Sequence, residues 1–397
     1  MSYGVYSELL ASQAATPVST ETLLVFVGNA PAGVDDEPVL CKSMTDYTNA
    51  FGTSTTCPGL ETAAKVCFNL LHLSQAVFIQ CADDDDSDVQ ASSVAGVAAD
   101  ESGVYAVSKI YPKYGLIPNV IIPCNLADNA SVITACKAAC VKINGHWDAI
   151  YLFNAAEAAN QVNANSQAVV DNISKSNNDE RGICCWPHVV TPDGLCISAN
   201  VYIGCLLAKA DAEYNNIPMR NQGNLAASEI SGIVLESAPD EKINLSESAA
   251  TTLADKGITS FINVGGGSYF TWGDSTSALT ATGITDERGR FTSTIRVMLM
   301  LGNRFQRVWR NAIDAPLSLS LRNDILHEEQ DFLDYLKSQG ALIGYPKCEF
   351  RPDDNTLSTV QSGKFYFTNI LTVTSPARYL DLKIVFTSEG YSVLLAA

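Results

Sequence analysis

Between Pro376 and Phe386 the chain places Leu380, Leu382, Ile384 and Phe386 in alternation with Tyr379, Asp381 and Lys383. A period of two lines one face of a strand with apolar side chains, so this stretch predicts a half-buried β-strand. Just before it, Phe365, Phe367, Leu371 and Val373 occupy one face of a second candidate strand, with Tyr366, Thr368, Ile370 and Thr372 on the other. Ser375-Pro376 breaks the run between the two. Ser388-Glu389-Gly390 then makes a turn, and Tyr391 to Ala397 is a short apolar tail containing Val393 and Leu394. An edge strand presents a row of unpaired N–H and C=O groups that invite another chain to pair. Two outcomes fit this pattern: a last strand folded into its own sheet, or one lent to a sheet of the next copy. We read the open edge as the functional one.

A chain of 397 residues exceeds what one compact core usually holds, which predicts two or three domains. Hydrophobic residues make up 47% and charged residues 17%, a balance that fits a folded protein with extensive buried or partner-covered surface. The net charge of −18 argues against general nucleic-acid binding, which needs clustered Lys and Arg for phosphate contacts. Met1 to Tyr6 lacks the basic start and apolar core of a secretory signal, and no apolar run approaches the roughly 18 residues of a membrane span. The expectation is a soluble product made in the cytosol, with no membrane insertion. The 12 cysteines sit mostly in apolar runs such as Ile183-Cys184-Cys185-Trp186, as small core residues in a reducing compartment do. No CxxC pair occurs, and Cys136 and Cys140 lack the second ligand pair of a zinc site.

Residues 3–22 carry few apolar side chains, and Ala15 to Thr20 is loop-like. At roughly 3.3 Å per extended residue, twenty residues reach about 60 Å, enough for an arm that leaves its subunit with Val5 and Tyr6 near its tip. Thr22–Gly28 reads as a buried strand and Pro38–Cys41 as a second. Ser43 caps a short helix to Phe51, Leu60–Leu73 is a helix, and Ala76–Cys81 is a strand. From 92 onward, strands at Asn119–Cys124, Ala149–Phe153 and Ile183–Val190 alternate with helices near 128–144, 158–174 and 199–213. Such alternation implies a mainly parallel sheet covered on both faces. Further helices are predicted at 245–256, 292–310 and 320–338, with a strand at 258–264. In the last helix Asp324, Glu328, Glu329, Asp331 and Asp334 point outward. The fold class is α/β and multidomain, with mixed sheets flanked by helices and extended N- and C-terminal arms. The expected division is an arm at 1–22, an α/β unit at 23–91, an outward-facing α/β domain at 92–245, an inner domain at 246–378 and an exchange arm at 379–397.

Chemical motifs are sparse. Gly265-Gly266-Gly267 follows a strand but lacks the Lys-Ser/Thr of a P-loop and the GxGxxG spacing, so it reads as a hairpin turn needing positive φ. The acidic run from Asp83 to Asp88 lacks the alternating ligands and distal Glu of a calcium loop and reads as solvated. The four histidines lie in separate elements, and neither a G-x-S-x-G elbow nor an H-E-x-x-H pair occurs. Cys184 and His188 are near in sequence, but a thiol nucleophile needs its base in contact through the fold. No catalytic, cofactor or metal residue is assigned. The competing reading is a cytosolic α/β enzyme with Gly265–Gly267 and Asp274 as its loop.

The order of motifs resembles the contractile tail sheath proteins of bacteriophages, nearest the short sheaths of P2-like phages and R-type bacteriocins. The resemblance rests on Tyr3-Gly4-Val5-Tyr6-Ser7-Glu8, then Leu24-Val25-Phe26-Val27-Gly28-Asn29-Ala30-Pro31 and Phe51-Gly52. It continues through Pro118-Asn119-Val120-Ile121 with Pro123, Pro192-Asp193-Gly194, and Lys256-Gly257-Ile258 before Gly265-Gly266. Trp272-Gly273-Asp274-Ser275-Thr276, Gly340-Ala341-Leu342-Ile343-Gly344, and Gly363 with Pro376-Ala377-Arg378-Tyr379-Leu380 complete it. Arg378 departs from the family, where Glu is common. The resemblance implies a homo-oligomeric helical sheath around a tail tube, with baseplate and tail terminator proteins as further partners. It also implies a virion tail or tail-like particle assembled in the host cytoplasm, infectious phage or bacteriocin alike. Strand exchange is then expected at Val5, Tyr6, Leu380, Leu382, Ile384, Phe386, Val393 and Leu394. Tube or neighbour contact is expected at Asp324, Glu328 and Asp331.

Overall fold

The computed structural model describes residues 21–54, 59–156 and 173–391. The first strand, β1 (Leu24–Gly28), is buried along its whole length. After β2 (Pro38–Cys41), helix α1 (Met44–Phe51) starts where the Ser43 side chain accepts the Asp46 N–H. The expected helix from Leu60 is α2 (Gly59–Ala64), which passes into π-helical turns over Lys65–Leu70 before β3 (Ala76–Gln80). The acidic run is not all loop: Asp86 accepts the N–H groups of Asp88 and Val89 and so caps α3 (Ser87–Ala95). Then follow α4 (Ile110–Tyr114), β4 (Val120–Pro123), α5 (Ala130–Ala139) and β5 (Ile150–Asn154).

The strand expected over Ile183–Val190 is two strands, β6 (Gly182–Cys185) and β7 (His188–Val190). Pro187 lies between them and has no N–H to continue a ladder, and there the chain changes sheets. After β8 (Cys196–Ile197) comes α6 (Ala199–Glu213), buried along nearly its full length. Gly204 lets it lie close to the strands, since a Cβ there would meet Ile122 Cδ1 at 2.4 Å. β9 (Ala226–Ala227), β10 (Gly232–Leu235) and β11 (Ala238–Ile243) precede α7 (Glu247–Asp255), which the Ser246 side chain caps. β12 (Ile258–Asn263) and β13 (Tyr269–Trp272) form a hairpin. The chain closes with α8 (Thr292–Val308), α9 (Leu319–Ser338), β14 (Leu342–Glu349), α10 (Leu357–Gln361) and β15 (Thr368–Val373).

Among the described residues, one nine-stranded sheet runs β2-β3-β1-β4-β5-β6-β12-β13-β9, a second has four strands in the order β11-β10-β7-β8, and β14 and β15 pair with each other. From β3 through β12 the neighbours are parallel, and β2, β13 and β9 are antiparallel additions. Parallel strands covered on both faces read as continuous apolar runs, as Leu24 to Val27 and Val120 to Ile122 do. The large sheet takes strands from three of the stretches that the sequence divides, 23–91, 92–245 and 246–378. Those boundaries therefore do not separate sheets: pairing across long sequence distances joins segments that composition sets apart.

A second, smaller core of Ile217, Val297, Leu301, Leu333, Leu336, Ala341, Leu342 and Val373 lies under the last helices and strands. Between the cores sits a buried ion pair. Both guanidinium Nη atoms of Arg296, 5% exposed, meet the carboxylate of the fully buried Asp211. The Thr22 hydroxyl donates to the same carboxylate at 2.7 Å, tying the entry to β1 into the joint between α6 and α8. Replacing one member of such a pair leaves a buried charge uncompensated. Arg296→Met is expected to cost about 3–5 kcal/mol, read as a lowered urea midpoint in equilibrium unfolding.

Candidate assembly interface

Alone, a two-stranded sheet is marginally stable. Here Leu342, Cys348, Leu371 and Val373 rest on the small core, so one face of the β14–β15 pair is covered. Register runs Leu342↔Val373 and Ile343↔Thr372, slips at a bulge, and resumes at Lys347↔Ile370, Cys348↔Asn369 and Glu349↔Thr368. Thr374 N–H donates to the Ala341 carbonyl at 3.0 Å and extends the ladder. That phase turns the backbone groups of Asn369, Leu371 and Val373 to the outer side of β15, because ladder bonds alternate along an antiparallel pair.

The two edges differ. On the β14 side, Gly344 at φ 77° begins the bulge and Pro346 removes one donor. The side-chain amide of Gln330 in α9 covers what remains, donating to the Pro346 carbonyl at 3.1 Å and accepting the Cys348 N–H at 3.1 Å. Gln330 thus acts as a one-residue surrogate strand. On the β15 side no hydrogen bond from the described residues reaches the outward groups of Asn369, Leu371 and Val373. Among the described residues one edge is closed and the other is open.

The expected terminal strand does not form among the described residues. Beyond β15, the stretch from Thr374 to Thr387 forms neither strand nor helix. Leu380, Leu382, Ile384 and Phe386 are 86%, 81%, 85% and 80% exposed, so the half-burial that the pattern predicts is absent in the single chain. The alternation is present, but none of the described residues covers it. Leu380 to Phe386 join no sheet of the described residues. Val5, Tyr6, Val393 and Leu394 lie outside the described residues.

No family model matches the chain. A Pseudomonas aeruginosa (strain UCBPP-PA14) protein described as a prophage major tail sheath protein is 23% identical over 380 residues, covering 94% of this chain and 91% of that one. The contracted helical sheath of the anti-feeding prophage superposes with a TM-score of 0.70 at 16% identity, over 97% of this chain and 99% of that chain. The contracted PVC sheath complex, from an extracellular contractile injection system, gives 0.69 at 15% identity over 98% and 99%. The sheath tail protein of Listeria innocua gives 0.55 at 10% identity over 90% and 96%. This chain has the contractile tail sheath fold.

Within the sheath fold, the acidic residues of α9 divide. Asp324 and Asp331 are exposed. Glu328 pairs with Arg304 at 2.5 Å, and Glu329, expected on the outer face, is 1% exposed and binds the same guanidinium at 2.9 Å. Arg304 also stacks 3.9 Å from the Phe332 ring centroid, which draws α8 and α9 together and pulls Glu329 inward. The sequence pattern missed this burial because Arg304 lies on another helix.

The enzyme candidates fare differently. Gly265, Gly266 and Gly267 make the β12–β13 turn with φ of 110°, 63° and 81°, as a hairpin requires. Cys184 is fully buried in the large sheet while His188 belongs to the four-stranded one. Burial pushes the Cys184 thiol up to about 12, which keeps it protonated and unreactive near neutrality. Asp274 engages Ser275 and Arg378. Among the described residues no group of three or more His, Cys, Asp or Glu is placed to hold a metal ion, and no helix is long and apolar enough to cross a membrane. If Gln330 seals the β14 edge, Gln330→Leu should cost about 1–2 kcal/mol and speed hydrogen exchange at the Cys348 amide. Unchanged Cys348 protection in an exchange experiment would remove Gln330 from that role.

Proposed function

We propose that this chain is the structural subunit of a contractile tail sheath, polymerising helically around a tail tube and contracting to drive the tube through a target envelope. The observation that carries the reading is a two-stranded sheet whose β15 edge is open among the described residues, together with a strand-length apolar segment that no described residue covers. Donating Leu380, Leu382, Ile384 and Phe386 to the β15 edge of a neighbour satisfies both. Turned toward the face of Leu371 and Val373, the donated row extends the small core. Burial contributes about 1.5–3 kcal/mol per side chain and recurs at every subunit. Val5, Tyr6, Val393 and Leu394 are assigned to the same exchange, as parts of the N- and C-terminal arms.

Strand pairing of this kind keeps copies linked while their bodies rotate, so work comes from repacking the lattice and needs no hydrolysis. In this reading residues 246–378 with the N-terminal arm face the tube and residues 92–245 face outward. The tube, baseplate and tail terminator proteins are the further partners, in a virion tail or tail-like particle assembled in the host cytoplasm.

Deleting Tyr379 to Ala397 tests the main claim. The truncated subunit should keep its circular dichroism and melting temperature yet remain monomeric in sedimentation and negative-stain images; tubular polymers formed without the segment would refute strand donation. Contact with the tube or a neighbour is assigned to Asp324, Glu328 and Asp331. Because Glu328 also holds Arg304, the cleaner reversal is Asp324→Lys with Asp331→Lys. It should reduce the yield of sheathed tails several-fold, and a normal yield would exclude the role.

A further inference from the structure

The terminal segment is not attached to its subunit only by the covalent chain. After Thr374, whose hydroxyl donates to the Gly340 carbonyl at 2.7 Å, the chain crosses from the small sheet toward the large one. There Arg378 Nε lies 3.2 Å from Asp274 Oδ2, and an Nη lies 3.7 Å from Asp255 Oδ1. The two carboxylates belong to different elements: Asp255 ends α7, and Asp274 follows β13. Asp274 is a firm post, with a side chain only 15% exposed that accepts the Ser275 hydroxyl and a carbonyl that accepts the Thr292 N–H at the start of α8. From Tyr379 to Ser388 no hydrogen bond or ion pair to the body occurs among the described residues. Arg378 is therefore the last tie to the body before that stretch.

We infer that Arg378 is a positioning residue that clamps the root of the C-terminal arm to the Asp255–Asp274 face and so sets the point and direction from which the arm reaches a second copy of this chain. The inference rests on the strand-donation reading. A strand must arrive in one register, since a slip of one residue turns its apolar row to the wrong face. Without the clamp, the free tether begins near Thr374 rather than Tyr379, and four more residues explore orientations that miss the acceptor edge. The longer tether lowers the effective concentration of the donated strand at its target. A fork between two carboxylates favours arginine, whose separate N–H groups reach both.

The test compares Arg378→Ala, Arg378→Glu and the swap Arg378→Glu with Asp255→Lys, each as the full chain. Arg378→Ala should raise the critical concentration for polymerisation about three- to tenfold, and Arg378→Glu should raise it further by placing a third carboxylate beside two. The swap should recover part of the loss, and added salt should narrow the difference between wild type and Arg378→Ala. Protease cleavage should move from beyond Tyr379 to include the 374–378 stretch, while the melting temperature of the body stays within about a degree. Unchanged critical concentration in both single variants, with polymerisation still lost on deleting Tyr379 to Ala397, would overturn the clamp and leave strand donation standing. If the deletion also polymerises normally, both ideas fall. A lowered melting temperature without altered cleavage at 374–378 would make Arg378 a stabilising residue only.

Discussion

A backbone hydrogen bond left unmade at a sheet edge is the constraint on which this molecule turns. Unpaired N–H and C=O groups are tolerable in water and become favourable sites once a matching strand arrives, because pairing is directional and repeats along the chain. Natural proteins hide such edges by bulges, prolines or covering side chains, and this chain uses all three on β14 with Gly344, Pro346 and Gln330. On β15 it uses none of them. The contrast within one pair of strands separates a protected edge from an available one, and the apolar row from Leu380 to Phe386 supplies the kind of segment that such an edge takes.

The rest of the fold makes that small sheet a dependable target. Nine strands in one sheet, with α6 buried against it, form a body whose packing leaves little freedom. The last two long helices carry β14 and β15 on a separate small core, and polar links join the two parts. The Asp211–Arg296 pair with Thr22, and Asn303 bonded both ways to the Asp148 backbone, fix the relation of α8 to the body. Buried polar links of this kind are geometrically selective where an apolar joint would tolerate sliding.

Much of the body was legible in the sequence because its strands are sandwiched and therefore continuously apolar. Leu24 to Val27, Val77 to Ile79 and Ile150 to Phe153 needed no partner to be recognised, and Ser43 announced the helix it caps. What stayed hidden depends on residues far apart in the chain. β6 pairs with β12 across more than seventy positions, so a division by composition could not foresee one sheet. Glu329 looked solvated until Arg304 was beside it, and Gln330 looked like an ordinary helix residue until β14 lay alongside. The terminal strand is the opposite case: its alternation was plain, yet no described residue covers it, so pattern and burial disagree.

One consequence follows from the unequal edges of β14 and β15. In the proposed assembly, a ribbon lent to a surface unlike the one that lends it would make a head-to-tail joint, and such joints repeat indefinitely unless the rotation between copies happens to close a ring. The joint itself counts nothing. A cylinder assembled by these contacts has no ruler of its own, so its length must be read from the core it grows along, and a subunit freed from that core would be limited only by supply.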